Sequence, residues 1–212
     1  MSDVRGWIGE RVPVSIEGIA AMSNEPVPYH LKRWWFALGG TPAYLFVVQI
    51  VTGVLLAFYY QPSPATAYES VRYITEEASF GWYLRGLHRW GATLMIAAVV
   101  LHQMRVFFTG AYRKPRELNW MIGMTLLTCT LMLGFTGYSL VFEQLSYWGA
   151  TVAANISDTV PVAGPLMKQV LLGGETYNDR TLSRFFILHG AVLPVLLILV
   201  LMMHIGLVRL LG

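Results

Sequence analysis

The sequence predicts an all-α membrane protein with four transmembrane helices, an N-terminal amphipathic helix and a short helical hairpin between the third and fourth spans. Three observations predict it. Of 212 residues, 55% are hydrophobic and only 13% charged, which is membrane composition. Four apolar segments, 34–60, 82–108, 118–142 and 183–211, each supply the roughly 20 residues that cross a hydrocarbon core of about 30 Å. The charges also sort by side. Arg5, Arg11, Lys32 and Arg33 lie in the N-terminal arm, and Arg105, Arg113, Lys114 and Arg116 face Glu117 alone between the second and third segments. The other two connections are acidic, with Arg72 against Glu69, Glu76 and Glu77, and Lys168 against Glu143, Asp158, Glu175 and Asp179. The positive-inside rule then puts both termini on the negative, cytoplasmic side. The net charge of +3 reflects this topology and does not indicate a nucleic-acid partner; the surrounding partner is lipid.

The arm, 1–30, starts MSDVRGWIGERV and lacks the apolar core of a cleaved signal peptide. Trp7, Ile8, Val12, Val14 and Ile16 among charges fit an amphipathic helix at the membrane interface. Pro26 and Pro28 precede the first span, and Phe58-Tyr59-Tyr60 with Gln61, Pro62 and Pro64 ends it. Lys114-Pro115-Arg116-Glu117 turns the chain into the third span. The connection 143–180 is long for a structureless loop and moderately apolar, so it reads as two short helices on the positive face, broken at 160–165. With no separate soluble domain, 1–212 reads as a single transmembrane domain.

Two histidine pairs carry the chemistry. His88 and His102 are 14 residues apart in the second span, and His189 and His204 are 15 apart in the fourth. At about 100° per residue, 14 steps return to within roughly 40° of the start and 15 to within roughly 60°. Each helix therefore presents two imidazoles on much the same face, at two depths about 21–22 Å apart. The second and fourth spans run in the same direction, so His88 pairs with His189 near the positive side and His102 with His204 near the negative side. Such a scaffold suits two six-coordinate haems, making this a haem-binding four-helix bundle. Gly39 and Gly53 in the first span, and Gly123 and Gly137 in the third, repeat the spacing of 14. Small residues permit close approach at two depths; ordinary helix packing would use them too.

Arg85 and Arg89 flank His88, Arg184 precedes His189, Arg105 follows His102, and Arg209 follows His204. Arginines at membrane edges have partners or snorkel to the interface; beside ligand histidines they suit haem propionates. Arg209, with Glu25 and Lys32, also suits a quinone site on the negative face. His30, in the polar arm, reads as a surface or capping histidine, with proton donation near a quinone as the alternative. Cys129 is the only cysteine and sits mid-span, so it reads as a packing residue; without CxxCH there is no c-type haem attachment.

Several strings resemble the N-terminal half of the cytochrome b family, in its short b6-like form: Phe80-Gly81-Trp82, Leu87-His88-Arg89-Trp90, Leu101-His102, Lys114 to Leu118, Gly137-Tyr138-Ser139-Leu140, Tyr147-Trp148-Gly149-Ala150, Ile156 to Gly164, and Leu182 to Phe186. The ligand spacings of 14 and 15 and the end soon after Arg209 also suit that split form. The resemblance implies a dihaem subunit of a quinol:cytochrome c or plastocyanin-type oxidoreductase. Quinol is oxidised on the positive side, one electron goes to a Rieske iron–sulfur protein, and the other crosses by two b haems to a quinone. The implied partners are a subunit IV-like C-terminal cytochrome b polypeptide, the Rieske protein and a c-type cytochrome, in a dimeric complex. Tyr138 and Glu143 fall in the segment similar to the quinol site; Glu143 serves proton release there or is a solvated loop carboxylate.

Three features depart from the family pattern. Phe36 and Ala37 precede Leu38-Gly39-Gly40 where cytochrome b6 has a cysteine for a covalent c-type haem, which implies two non-covalent haems only and a bacterial plasma membrane rather than a thylakoid. Val141-Phe142 replaces the usual Pro-Trp. No Pro-Glu-Trp-Tyr occurs, so the chain alone does not complete turnover. Two alternatives stay open on the residues themselves: a haem b membrane anchor of another respiratory dehydrogenase, and a non-haem transporter whose histidines bind protons or a metal.

Overall fold

The computed structural model describes residues 2–12 and 37–211, and every regular element among them is helical. In chain order these are α1 (Ser2–Arg11), α2 (Gly40–Ala57), α3 (Ala67–Glu76), α4 (Gly81–Phe108), α5 (Glu117–Ser139), α6 (Gln144–Asp158), α7 (Gly164–Leu172), α8 (Asp179–Ile187), a single π turn (Leu188–Val192) and α9 (Leu193–Leu211). Four stretches are long and apolar enough to cross a membrane: α2, α4, α5 and the continuous run Asp179–Leu211. Many of their apolar side chains, such as Val47, Val51, Leu199 and Met202, are exposed, as a lipid-facing surface requires. Helical bonding satisfies the backbone within each span. Hydroxyls do the same locally: Thr52, Thr130 and Thr136 donate to the carbonyls four residues back at 2.7–2.8 Å.

The span ends differ from the sequence expectation for local reasons. α2 stops at Ala57 rather than 60, where the Tyr59 N–H tightens onto the Leu56 carbonyl three residues back at 3.1 Å. α5 stops at Ser139 rather than 142; Phe142 has φ +53°, a left-handed conformation that cannot extend a right-handed helix. The fourth span starts at Asp179 rather than 183, because Asn178 caps it. Its side chain accepts from Arg180 N–H at 2.9 Å, and its own N–H donates to the Thr181 hydroxyl at 3.0 Å. The 143–180 connection holds α6 and α7. Glu143 is the N-cap of α6, in a capping box with Ser146; Gly173, at φ +72°, supplies the left-handed cap that ends α7. In the arm, α1 leaves Trp7 and Ile8 on the surface while Arg11 is only 4% exposed. Val14, Ile16, Glu25, His30, Lys32 and Phe36 lie outside the described residues.

The chain divides into two compact units. The first takes the described residues up to Tyr44, with Leu94–Thr130 and Leu196 onward. Within it, Arg11 reaches Glu117 at 3.1 Å and Glu10 at 3.3 Å, and Lys114 reaches Glu10 at 3.1 Å. Lys114, hydrogen-bonded to Glu10, holds the Glu10 carboxyl below the usual carboxylate range, and Arg11 adds to the effect. Arg116 donates to the Leu211 carbonyl at 3.3 Å. α1, the α4–α5 turn and the end of α9 thus meet in one polar cluster.

The second unit takes Leu45–Thr93 and Leu131–Val195 and contains a hydrophobic core. Ala67, Ala150, Ala154, Leu172, Tyr177, Leu182 and Phe185 form it, with Phe135, Phe142 and Tyr147 packed against it. Ala150 and Ala154 are one helical turn apart on α6, which leaves a narrow strip for neighbouring chain. Two tyrosines close the end of α5: Tyr177 donates to the Ser139 carbonyl at 3.2 Å and Tyr60 to the Leu140 carbonyl at 2.7 Å. The last carbonyls of a helix need such partners. Burial pushes both phenols above their ordinary pKa.

Candidate functional site

In the second unit, α4 delivers His88 and the start of the π turn delivers His189; their ring centres are 6.0 Å apart, with planes at 73°. The outer nitrogen of each ring is engaged. Thr52 Oγ1 lies 2.8 Å from His88 Nδ1. The single Thr52 hydroxyl proton already goes to the Val48 carbonyl at 2.7 Å, so the oxygen accepts and His88 Nδ1 donates. The Leu133 carbonyl, acceptor only, lies 3.0 Å from His189 Nδ1, with Thr136 Oγ1 at 3.3 Å. Both imidazoles are therefore held with the proton on Nδ1 and the Nε2 lone pair free, the state a metal ligand needs.

In the first unit, His102 on α4 and His204 on α9 stand 6.4 Å apart at 86°. Their outer surroundings differ at one ring: His102 Nδ1, though buried, has no hydrogen-bond partner among the described residues, while His204 faces the Asn119 backbone, a looser counterpart of the Leu133 carbonyl at His189. Both separations fit one metal held between two imidazoles. With metal–nitrogen bonds of about 2.0 Å, and about 1.1 Å more from nitrogen to ring centre, opposed rings stand roughly 6.2 Å apart. Haem iron with two axial histidines is such an arrangement, so the residues fit the group.

Each of the four glycines faces one of these rings. A Cβ added at Gly137 would stand 2.5 Å from His189 Cε1; at Gly53, 3.2 Å from His88 Cε1; at Gly39, 3.2 Å from His102 Cε1; at Gly123, 3.5 Å from His204 Cε1. The repeat of 14, from the residue before α2 into α2 and again in α5, thus clears space for the histidine rings themselves. The spacing alone predicts close approach of helices and macrocycle; ring clearance is what the structure places at these positions.

The spacing of 15 has a local cause. Pro194 has no N–H for the Gly190 carbonyl and its ring would clash there. The turn widens, and Leu193 N–H bonds to Leu188 O, five residues back. A π turn takes one residue more than an α turn, so the additional residue lies in the turn that holds His189.

The other predicted residues divide. Arg85 and Arg105 are half-buried, while Arg89 and Arg209 are exposed. Arg184 turns away to the hairpin, donating to the Gln169 and Val170 carbonyls at 3.0 and 2.8 Å. Tyr138 is 45% exposed, and the exposed Glu143 has its structural task as the N-cap of α6. Cys129 is free and buried in α5. Sequence reasoning missed Thr52, Leu133, Thr136 and the π turn. Two signals were present: Thr precedes Gly at 52–53 and 136–137 but not at 38–39 or 122–123, and a proline stands five residues after His189.

A family model described as cytochrome b/b6/petB matches residues 22–212. Cytochrome b6 of Heliomicrobium gestii is 44% identical over 206 residues, and that of Heliobacterium modesticaldum 45% over 207; each comparison covers 97% of this chain and 97% of the relative. Cytochrome b6 of Tupiella akineta is 39% identical over 210 residues, 99% of this chain and 96% of that one. A solved structure titled "Hyperthermophilic respiratory Complex III" aligns with a TM-score of 0.82 at 33% identity, over 98% of this chain. The chain spans about half of that structure's chain, 55% of its length. With paired histidines, facing glycines and four apolar spans, these matches show that the chain belongs to the cytochrome b/b6 family.

Proposed function

We propose that this protein is the dihaem b-type subunit of a quinol-oxidising complex, with His88 and His189 holding one non-covalent haem and His102 and His204 a second. The observation that carries the reading is that both imidazole pairs stand at the separation of axial ligands on one iron, 6.0 and 6.4 Å. A b haem held by these two histidine pairs would supply one-electron transfer rather than oxygen chemistry. The chain's own residues do the rest. Thr52 and the Leu133 carbonyl orient the ligands of one pair, and the glycines give the rings room. Arg85, Arg89, Arg105 and Arg209 are the cations for propionates. The sole cysteine, buried in α5, supports non-covalent attachment.

The same reading assigns sides and partners. α1, the α4–α5 turn and the end of α9 meet in one cluster, which supports placing both termini on the negative side. The acidic connections and the α6–α7 hairpin then face the positive side, where quinol is oxidised. A Rieske protein, a c-type cytochrome and a C-terminal cytochrome b polypeptide carrying Pro-Glu-Trp-Tyr complete the complex in a bacterial plasma membrane.

The test is a reduced-minus-oxidised spectrum of the purified complex with haem quantitation. Two b haems per chain are expected, with a non-covalent haem fraction that acid acetone extracts completely. Absence of a b-type α band in intact membranes containing the protein overturns the reading.

A further inference from the structure

Thr52 has no part in the ligand set, yet it is placed to act on it. Its oxygen receives the His88 Nδ1 proton at 2.8 Å, and its own proton goes to the Val48 carbonyl at 2.7 Å. The chain Nδ1–H to Oγ1–H to carbonyl is thus a relay of two hydrogen bonds in one direction, which polarise each other in a medium of low dielectric. A donor bond from Nδ1 raises the electron-giving strength of Nε2. On a bound haem, a histidine of greater electron-giving strength would favour the ferric over the ferrous state and so lower the reduction potential. Among the described residues the first unit has no such relay: His102 Nδ1 has no hydrogen-bond partner, and His204 faces the Asn119 backbone rather than a hydroxyl. Thr136 stands in the equivalent place beside His189, but there the nearer acceptor is the Leu133 carbonyl, 3.0 Å against 3.3 Å. Among the described residues, Thr52 is therefore the one side chain on which the outer bond of one of these histidines rests alone.

We propose that Thr52 is a positioning residue that, through His88, selectively lowers the reduction potential of the haem held by His88 and His189. The inference rests on the dihaem reading above and adds to it the residue that separates the two sites electronically.

The experiment is a redox titration of both haems in the purified complex, with T52V and T52S compared to wild type and H204A used to assign the bands. T52V removes the hydroxyl at nearly constant volume; its expected effect is a rise in the midpoint of the His88/His189 haem alone, with a shifted low-spin ferric resonance for that haem. T52S keeps the hydroxyl and is expected to titrate near wild type. An unmoved midpoint in T52V at full haem content, or an equal rise at both haems, overturns the proposal. Where T52V fails to retain the haem, T52A leaves the same Nδ1 without Thr52's oxygen: a rise at that haem alone supports the proposal, and an unmoved midpoint overturns it. If wild type shows no b haem, the functional reading itself fails; if both haems are present and only the midpoint stays put, the assignment of Thr52 fails alone.

Discussion

At His88 and His189 the outer ring nitrogens are engaged, one by a hydroxyl and one by a backbone carbonyl. In the other pair, His204 again faces a backbone group, that of Asn119, but His102 has no partner for its outer nitrogen among the described residues. The inner halves of the two sites match, with rings at 6.0 and 6.4 Å and a glycine against each ring. What differs lies one layer out. Two like histidine pairs can thus be given unequal surroundings without touching a histidine, by choosing which residue precedes the facing glycine: Thr52 and Thr136 in one unit, Leu38 and Ile122 in the other.

The comparison breaks most directly at the ligands. H88A is expected to remove the haem shared with His189 and to spare most of the other, read as a fall from two haems to one per chain in the purified complex. Equal loss of both, with the protein intact, would show that the pairing is wrong. The glycines give a graded test. G137A forces a Cβ to 2.5 Å from His189 and should deplete that haem strongly. G53A and G39A, at 3.2 Å, should loosen theirs moderately, and G123A, at 3.5 Å, is ordinary contact and should stay near wild type. Haem retention after detergent extraction orders the four; a G123A defect as large as that of G137A would remove ring clearance as the explanation. The smallest effect belongs to the end of α5. Y177F takes away the hydroxyl on the Ser139 carbonyl, which should lower stability by about 1 kcal/mol and leave the haem ratio unchanged. Thermal denaturation of the complex followed by circular dichroism checks it.

The histidines and glycines are legible in the sequence because helical arithmetic alone brings position i+14 back to nearly the same face. The hairpin is legible from apolar content that a loop does not need. The remainder depends on partners distant in sequence. The acceptor role of Thr52 is defined by a ring 36 residues away, and Arg184 reads as a cation beside His189 until the Gln169 and Val170 carbonyls arrive within 3.0 Å of it. The end of the third span departs from its apolar pattern because a single backbone angle, that of Phe142, outweighs the character of the segment. Glu143 looks chemical because it is a carboxylate near a polar face; its capping box with Ser146 gives it a local reason to be there.

The π turn at Leu188–Val192 bears on how such a helix tolerates insertion and deletion. A span with two fixed ligands would be intolerant of any change in length between them if it were α-helical throughout, since one residue added to an α-helix rotates everything beyond it by about 100°. When the addition is taken into a single wide turn, the rotation is absorbed where it arises. Chains in which these histidines stand 14 or 15 positions apart can therefore offer the same pairing, and an alignment gap at this point marks a change in one turn of helix rather than a change of site.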